Sequence, residues 1–315
     1  MIMRSPKVYI ASALTLSMLL ASLFVENRAQ TKGLQESNPK ATVLFVVSAW
    51  QLPDADIVPF VIIEQGKYKQ PVAGDSDAKE VASFANAYYS KGRKYRVLFG
   101  GSEAGSLTIK KSNKDSECAK TSADVTLQSQ AKLNRNVMAL ATNSDSLGGA
   151  KNTRRAPTPS ERAALMPLVQ AAYKQKGVPA ALLPGLTTVN LTALDLDNDG
   201  NAELVGSFVV KKQGVSPARY ALFLIAEPQG NSYRTTVLQY ERFTNEEIMS
   251  GAKISDIENG VYLERLVDGL DLDGDGASEV VTVTNGFEGD SYFIFKKQGG
   301  KWDKVYEFGN YRCAF

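Results

Sequence analysis

Two stretches of the sequence concentrate carboxylates at a spacing that can hold a cation. They read LDLDNDGNAELV over 194–205 and LDLDGDGASEVV over 270–281. Numbered from the first aspartate, each carries acids at positions 1, 3, 5 and 9 and glycine at position 6. These are Asp195, Asp197, Asp199, Gly200 and Glu203, then Asp271, Asp273, Asp275, Gly276 and Glu279. Four carboxylates this close repel one another unless a positive charge sits among them. Hard oxygen donors on a flexible loop suit calcium, which takes roughly 6–8 of them. The position-7 carbonyls of Asn201 and Ala277 are further candidate ligands. The pattern predicts two Ca2+ sites, structural in role.

The helix–loop–helix calcium motif is the competing reading, and the residues argue against it. That loop needs a bidentate glutamate at position 12, where this chain has Gly206 and Thr282. The flanks are β-branched and aromatic, which favours strand–loop–strand. Gly200 and Gly276 permit the positive φ that a tight turn requires.

Other chemistry is excluded or thin. The chain has no histidine, so triads built on imidazole and zinc sites that need it are ruled out. No catalytic residue and no organic cofactor-binding residue is assigned, and the balance is against an enzyme. A hydrolase working through two carboxylates needs no histidine and stays as the alternative, with Glu64, Asp75, Asp77 and Glu103 near glycine-rich turns. Tyr233, Trp302 and Tyr306 fall in equivalent strands, where they either stack on sugars or pack in the core. Lys+Arg of 36 against Asp+Glu of 34 leaves a net charge of +2, no footprint for nucleic acid. The basic group Lys91, Arg93, Lys94 and Arg96 reads as a solvated turn. Cys118 and Cys313 either pair or remain separate thiols; their spacing leaves both open.

The elements that must position the acidic loops can be read around them. Residues 1–29 have a basic start (Arg4, Lys7) and an apolar run from Val8 to Val25. This is a secretory leader or an uncleaved membrane anchor, followed by a polar tether over 30–40. Both readings put the remainder outside the cytoplasm: periplasmic, at the cell surface or secreted. Membrane contact is expected only through an uncleaved N-terminal segment. Residues 41–145 predict a small α+β domain whose helix is capped by Asp77, with Val81, Phe84, Ala85 and Tyr88 on one face. Residues 146–188 predict a linker and a second helix with Thr158 as N-cap, Pro159 first and Glu161 closing a capping box. Pro167 predicts a kink or break in it. Residues 189–315 predict an internal duplication, the two loops lying 76 residues apart (195 to 271). Each copy runs strand, acidic loop, strand, strand, strand. The charged stretch over 241–260 between them reads as a flexible loop. The class is mainly β, α+β overall, with the duplicated antiparallel meander forming a sandwich or partial propeller.

The D-x-D-x-D-G-x-x-E spacing between strands resembles the FG-GAP/VCBS repeat, the calcium loop of integrin alpha-subunit propellers and of many bacterial surface proteins. The resemblance covers about 110 C-terminal residues. It implies that Asp195, Asp197, Asp199 and Glu203 ligate one ion and Asp271, Asp273, Asp275 and Glu279 the other. It implies too that the ion stiffens a turn away from the binding face. Two copies are too few for a closed ring, which generally takes at least about four blades. Region 41–145 resembles no family. The expectation is an exported, non-enzymatic calcium-binding protein of the cell envelope that binds a polymer or a protein. A structural subunit of an envelope assembly is the third possibility.

Overall fold

The strand that begins at Thr42 explains most of the architecture that follows. Val43, Phe45, Val47 and Ala49 alternate with Leu44 and Val46, and all six are buried. A strand apolar on both faces must be covered on both. In the computed structural model, which describes residues 41–134, 136–149, 151–248, 253–254 and 257–313, both faces are covered. The expected leader (1–29) and tether (30–40) lie outside the described residues.

Strands β1 (Thr42–Gln51), β2 (Asp54–Glu64), β4 (Lys94–Phe99), β5 (Ser102–Ser112), β6 (Ala123–Ser129) and β7 (Ala139–Thr142) close into an antiparallel barrel. Its order is β1-β7-β4-β5-β6-β2, with β2 returning to β1 and the short β3 (Lys67–Lys69) added on β2. Closure leaves no unpaired edge within the ring. The odd residues of β1 face the interior with Ile57, Val97, Leu107 and Val125. Helix α1 (Ala78–Tyr88) starts where Asp77 accepts from the Glu80 amide, and it buries Val81, Phe84, Ala85 and Tyr88.

The even residues of β1 face outward onto the second of two four-stranded meanders. The first meander is β8 (Thr187–Leu194), β9 (Glu203–Lys212), β10 (Ala218–Gln229) and β11 (Ser232–Thr244). The second is β12 (Glu264–Leu270), β13 (Glu279–Asn285), β14 (Gly289–Gln298) and β15 (Lys301–Tyr311). Strand order and antiparallel sense are the same in both, as the duplication requires. Strand makes up 51% of the described residues and helix 14%, so the class is mainly β.

The layers follow from the period of two. Leu204, Phe208, Leu222 and Leu224 pack against helix α2 (Pro159–Gln175) through its Leu165, Val169 and Tyr173. Val205, Phe223 and Ile225, one register away, pack against Val280, Phe295 and Trp302 of the second sheet. Val281, Val283, Tyr292 and Ile294 then meet Leu44, Val46, Phe60 and Leu140 on the barrel's outer face. The stack is therefore helix, sheet, sheet, barrel, and the described residues form one compact unit.

Some expectations are revised by packing. Helix α2 has the full capping box of Thr158 and Glu161, yet it runs through Pro167 without a break. Pro167 and Ala163 are both exposed, so the carbonyl that loses its partner is left to water. Trp302 and Tyr306 are buried, Tyr306 donating to the Phe60 carbonyl, and Tyr233 is half-buried against the α2 side. The rings of Trp302 and Tyr306 therefore offer no stacking face. The charged stretch after β11 is tied down in its described part. Ile248, Ile254 and Ile257 are buried, and the guanidinium of Arg219 donates to the carbonyls of Asn259 and Val261.

Two long-range links lock the layers. Arg154 and Asp268 form a buried ion pair at 3.2 Å, and Arg154 also donates to the carbonyls of Met138 and Val267. Cys118, between β5 and β6, is disulfide-bonded to Cys313 just after β15, with their Cα atoms 4.8 Å apart.

Candidate functional site

Both acidic loops connect the first two strands of their meander, β8 to β9 and β12 to β13. Their internal wiring matches. The position-1 aspartate receives the position-6 amide: Gly200 to Asp195 at 3.1 Å and Gly276 to Asp271 at 2.9 Å. The position-9 glutamate receives the position-2 amide: Leu196 to Glu203 at 2.7 Å and Leu272 to Glu279 at 2.8 Å. The position-5 aspartate receives the position-7 amide: Asn201 to Asp199 at 2.7 Å and Ala277 to Asp275 at 2.9 Å. Positions 4 and 6 are left-handed in both, with φ of 58° at Asn198, 88° at Gly200, 81° at Gly274 and 91° at Gly276. Glycine and asparagine tolerate that region best, which is why these types stand there.

The carboxylates converge. Oxygens of Asp195, Asp197 and Asp199 lie within 4.8 Å of one another in the first loop, as do those of Asp271, Asp273 and Glu279 in the second. An ion bonded at about 2.4 Å reaches oxygens up to about 4.8 Å apart, so each trio can share one. Glu203 is buried below the first trio, only 3% exposed, and burial pushes its carboxyl up to about 7, with Asp197 and Asp195 adding to the rise. Asp275 stands outside the second trio and is held below the usual carboxylate range by Lys296 and the Ala277 amide.

The loops differ in what balances their charge. In the second, the ammonium of Lys296 on β14 lies 2.6 Å from Asp273, 2.7 Å from Asp275 and 2.8 Å from Glu279. These bonds push the Lys296 ammonium well above its usual value despite burial. In the first loop, the nearest such group is Lys297, 3.5 Å from Asp197 and drawn instead to Glu227 at 2.6 Å. Asp195 Oδ1 is buried and receives no hydrogen bond, whereas Asp271 Oδ1 accepts from the Gly274 amide at 2.7 Å. The first loop therefore has an oxygen awaiting a partner, and the second has an internal cation. Lys296 lies two strands along from its loop, and only the fold reveals its role. The loops also touch: Asn198 Nδ2 donates to the Gly276 carbonyl at 2.6 Å, and the Ser278 amide to that of Leu196 at 2.7 Å.

The other candidates scatter. Glu64 pairs with Lys69, Glu103 with Arg96 at 2.9 Å, Asp77 caps α1, and Asp75 is exposed. Arg96 further donates to the carbonyls of Ser144 and Leu147, a structural use of the basic turn. None of the four lines the cavity described next.

A cavity of about 920 Å³ opens at the other end of the sheets, where β8 begins and β9 and β13 end. It draws Asp56 from the barrel, Lys211 from the first sheet and Asp290 from the second, with Trp50 among its lining residues. Asp290 is paired with Arg312 at 2.6 Å. Burial raises the Asp56 carboxyl, with Asp124 adding to it and Arg312 opposing. The cavity's walls come from segments far apart in sequence, so no local pattern announces it. The Cys118–Cys313 bridge stands beside wall residues Ala119 and Arg312.

No family model, no curated protein and no solved structure shows significant similarity to this chain.

Proposed function

We propose that this chain is an exported calcium-binding β-repeat protein that binds a polymer or protein of the cell envelope without catalysing a reaction. The observation that carries the metal reading is Asp195 Oδ1, a buried oxygen without a hydrogen-bond donor, in a trio of carboxylates spaced for one ion. Asp195, Asp197 and Asp199 would hold the first Ca2+, with Glu203 behind them and the Asn201 carbonyl available. Asp271, Asp273, Asp275 and Glu279 would hold the second, with the Ala277 carbonyl available, once Lys296 swings out. The ion supplies fixed positive charge and nothing reactive. Its effect is to stiffen the turns at one end of two stacked meanders, which agrees with the FG-GAP/VCBS likeness. The disulfide fits a non-reducing compartment and supports export.

Extracellular calcium modules bind with dissociation constants on the order of 0.1–1 mM. At tenfold excess of free ion, each site adds roughly 1.4 kcal/mol by mass action, or about 3–5 °C in melting temperature. Thermal melting of the full chain with calcium and with chelator tests this. Chelator is expected to lower the wild-type midpoint, and Asp197→Ala with Asp273→Ala is expected to melt identically in both. A wild type indifferent to chelator removes the assignment. Retention of envelope polymers and proteins on the immobilised chain tests the binding half.

A further inference from the structure

We propose that the cavity at the far end of the sheets binds a short peptide with both ends free, its ammonium held by the barrel wall and its carboxylate by the first sheet. The proposal deepens the envelope-binding reading and rests on it, but it uses none of the acidic-loop residues.

Two pairs of like charges meet the cavity from different layers. On the barrel, Asp56 of β2 stands directly opposite Asp124 of β6. On the first sheet, Lys211 of β9 stands directly opposite Arg219 of β10. Residues paired this way share a face, and like charges there destabilise a sheet. Asp56 and Lys211 both line the cavity, whose size suits a small-molecule or oligomer site at the upper end of the usual range. Neither is neutralised. Among the described residues, no group donates a hydrogen bond to Asp56, and no carboxylate pairs with Lys211, which donates to the Ile257 carbonyl at 3.3 Å. Asp124 accepts from the Asn113 amide at 2.7 Å, and Arg219 is bonded to the carbonyls of Asn259 and Val261. Arg312 opposes the rise at Asp56, yet its own partner is Asp290 at 2.6 Å. Each lining charge is pushed toward its neutral form: burial and then Asp124 raise the Asp56 carboxyl, and burial and then Arg219 lower the Lys211 ammonium.

The charges select a ligand that is neutral overall and charged at both ends. Among the described residues, Asp56, Asp124, Glu258 and Asp290 offset Lys211, Arg219, Arg265 and Arg312 one for one. Their placement is what is uneven. Carboxylates prevail at the barrel wall, where Arg312 alone answers Asp56, Asp124 and Asp290, and cations prevail at Lys211. A molecule with an ammonium at one end and a carboxylate at the other relieves both pairs, each through a charge-assisted bond. Stacked sheets lie about 10 Å apart, and the second sheet stands between the two walls, so a single amino acid is too short to bridge them. An extended peptide gains about 3.3 Å per residue. Val46, Val58, Met138 and Val189 also line the cavity and suit small apolar side chains.

Calorimetry on the full chain tests each end of the peptide separately. Trialanine or tetraalanine is expected to bind with a dissociation constant below about 1 mM. Acetylating the peptide's amine, or amidating its carboxylate, should weaken binding at least tenfold. Asp56→Asn should bind the free peptide more weakly and become indifferent to acetylation while still responding to amidation; Lys211→Gln should do the reverse. Each substitution removes a repulsion between facing strands, so neither variant should melt below the wild type, and both should keep its calcium response. No binding of either peptide at millimolar concentration overturns the proposal. So does equal binding of the acetylated or amidated forms, or binding that neither substitution weakens. Should that happen while melting stays chelator-sensitive and envelope material is retained, the site alone falls and the proposed function stands. The crossed responses appearing in a protein indifferent to chelator would keep the site and remove the calcium reading.

Discussion

Single buried charges in this chain set how its stability responds to pH. Glu264 on β12 is 2% exposed, accepts from the Thr282 hydroxyl at 2.5 Å, and is pushed up to about 7 by burial from an ordinary value of 4.5. Folding therefore takes up a proton between those values. The group's contribution is complete below about pH 4.5 and is lost as the pH rises through about 7. The full span amounts to roughly 3 kcal/mol. Glu264→Gln keeps the acceptor and loses the titration. Urea unfolding at pH 5 and pH 8 should show the wild type losing stability relative to the variant as pH rises, and parallel curves would refute the assignment. Arg154 and Asp268 differ in kind. Each is buried with its opposite charge at 3.2 Å, so truncating either leaves a lone ion inside the protein.

At the scale of elements, the second acidic turn carries its own counter-ion. Lys296→Met removes three charge-assisted bonds and should destabilise the chelated protein by about 2 kcal/mol. It also removes the competitor for a divalent cation. Calcium should then raise the melting temperature of the variant by more than that of the wild type; an equal or smaller increment would show that Lys296 and calcium do not share the site. The turn itself is legible in sequence because its signal is local: acids at alternate positions, glycine where φ is positive, β-branched flanks. The same holds for the helices, since Asp77 and Thr158 act on amides three residues on, and for all eight strands of the duplication. Lys296 is not legible, because it reaches its acids across β13 rather than along the chain. Barrel closure is hidden for a related reason: alternation in β1 says that both faces are buried, but not that β7 and β2 will flank it. The cavity is the extreme case, assembled from both sheets and the barrel, and its exposed Trp50 sits in a run that reads simply as apolar strand.

For the molecule as a whole, the disulfide closes a loop of 195 residues across barrel and sheets. Chain entropy puts its contribution at up to about 5 kcal/mol. Reduction should lower the unfolding midpoint in urea by a corresponding amount. An unchanged midpoint after verified reduction would show the bridge to be incidental. The same bond bears on maturation. The sequence holds two cysteines, so oxidation within one molecule has a single product and no mispaired isomer to correct. Acquiring the bridge takes an electron acceptor but no shuffling catalyst, and the competing outcome is a covalent link between two copies.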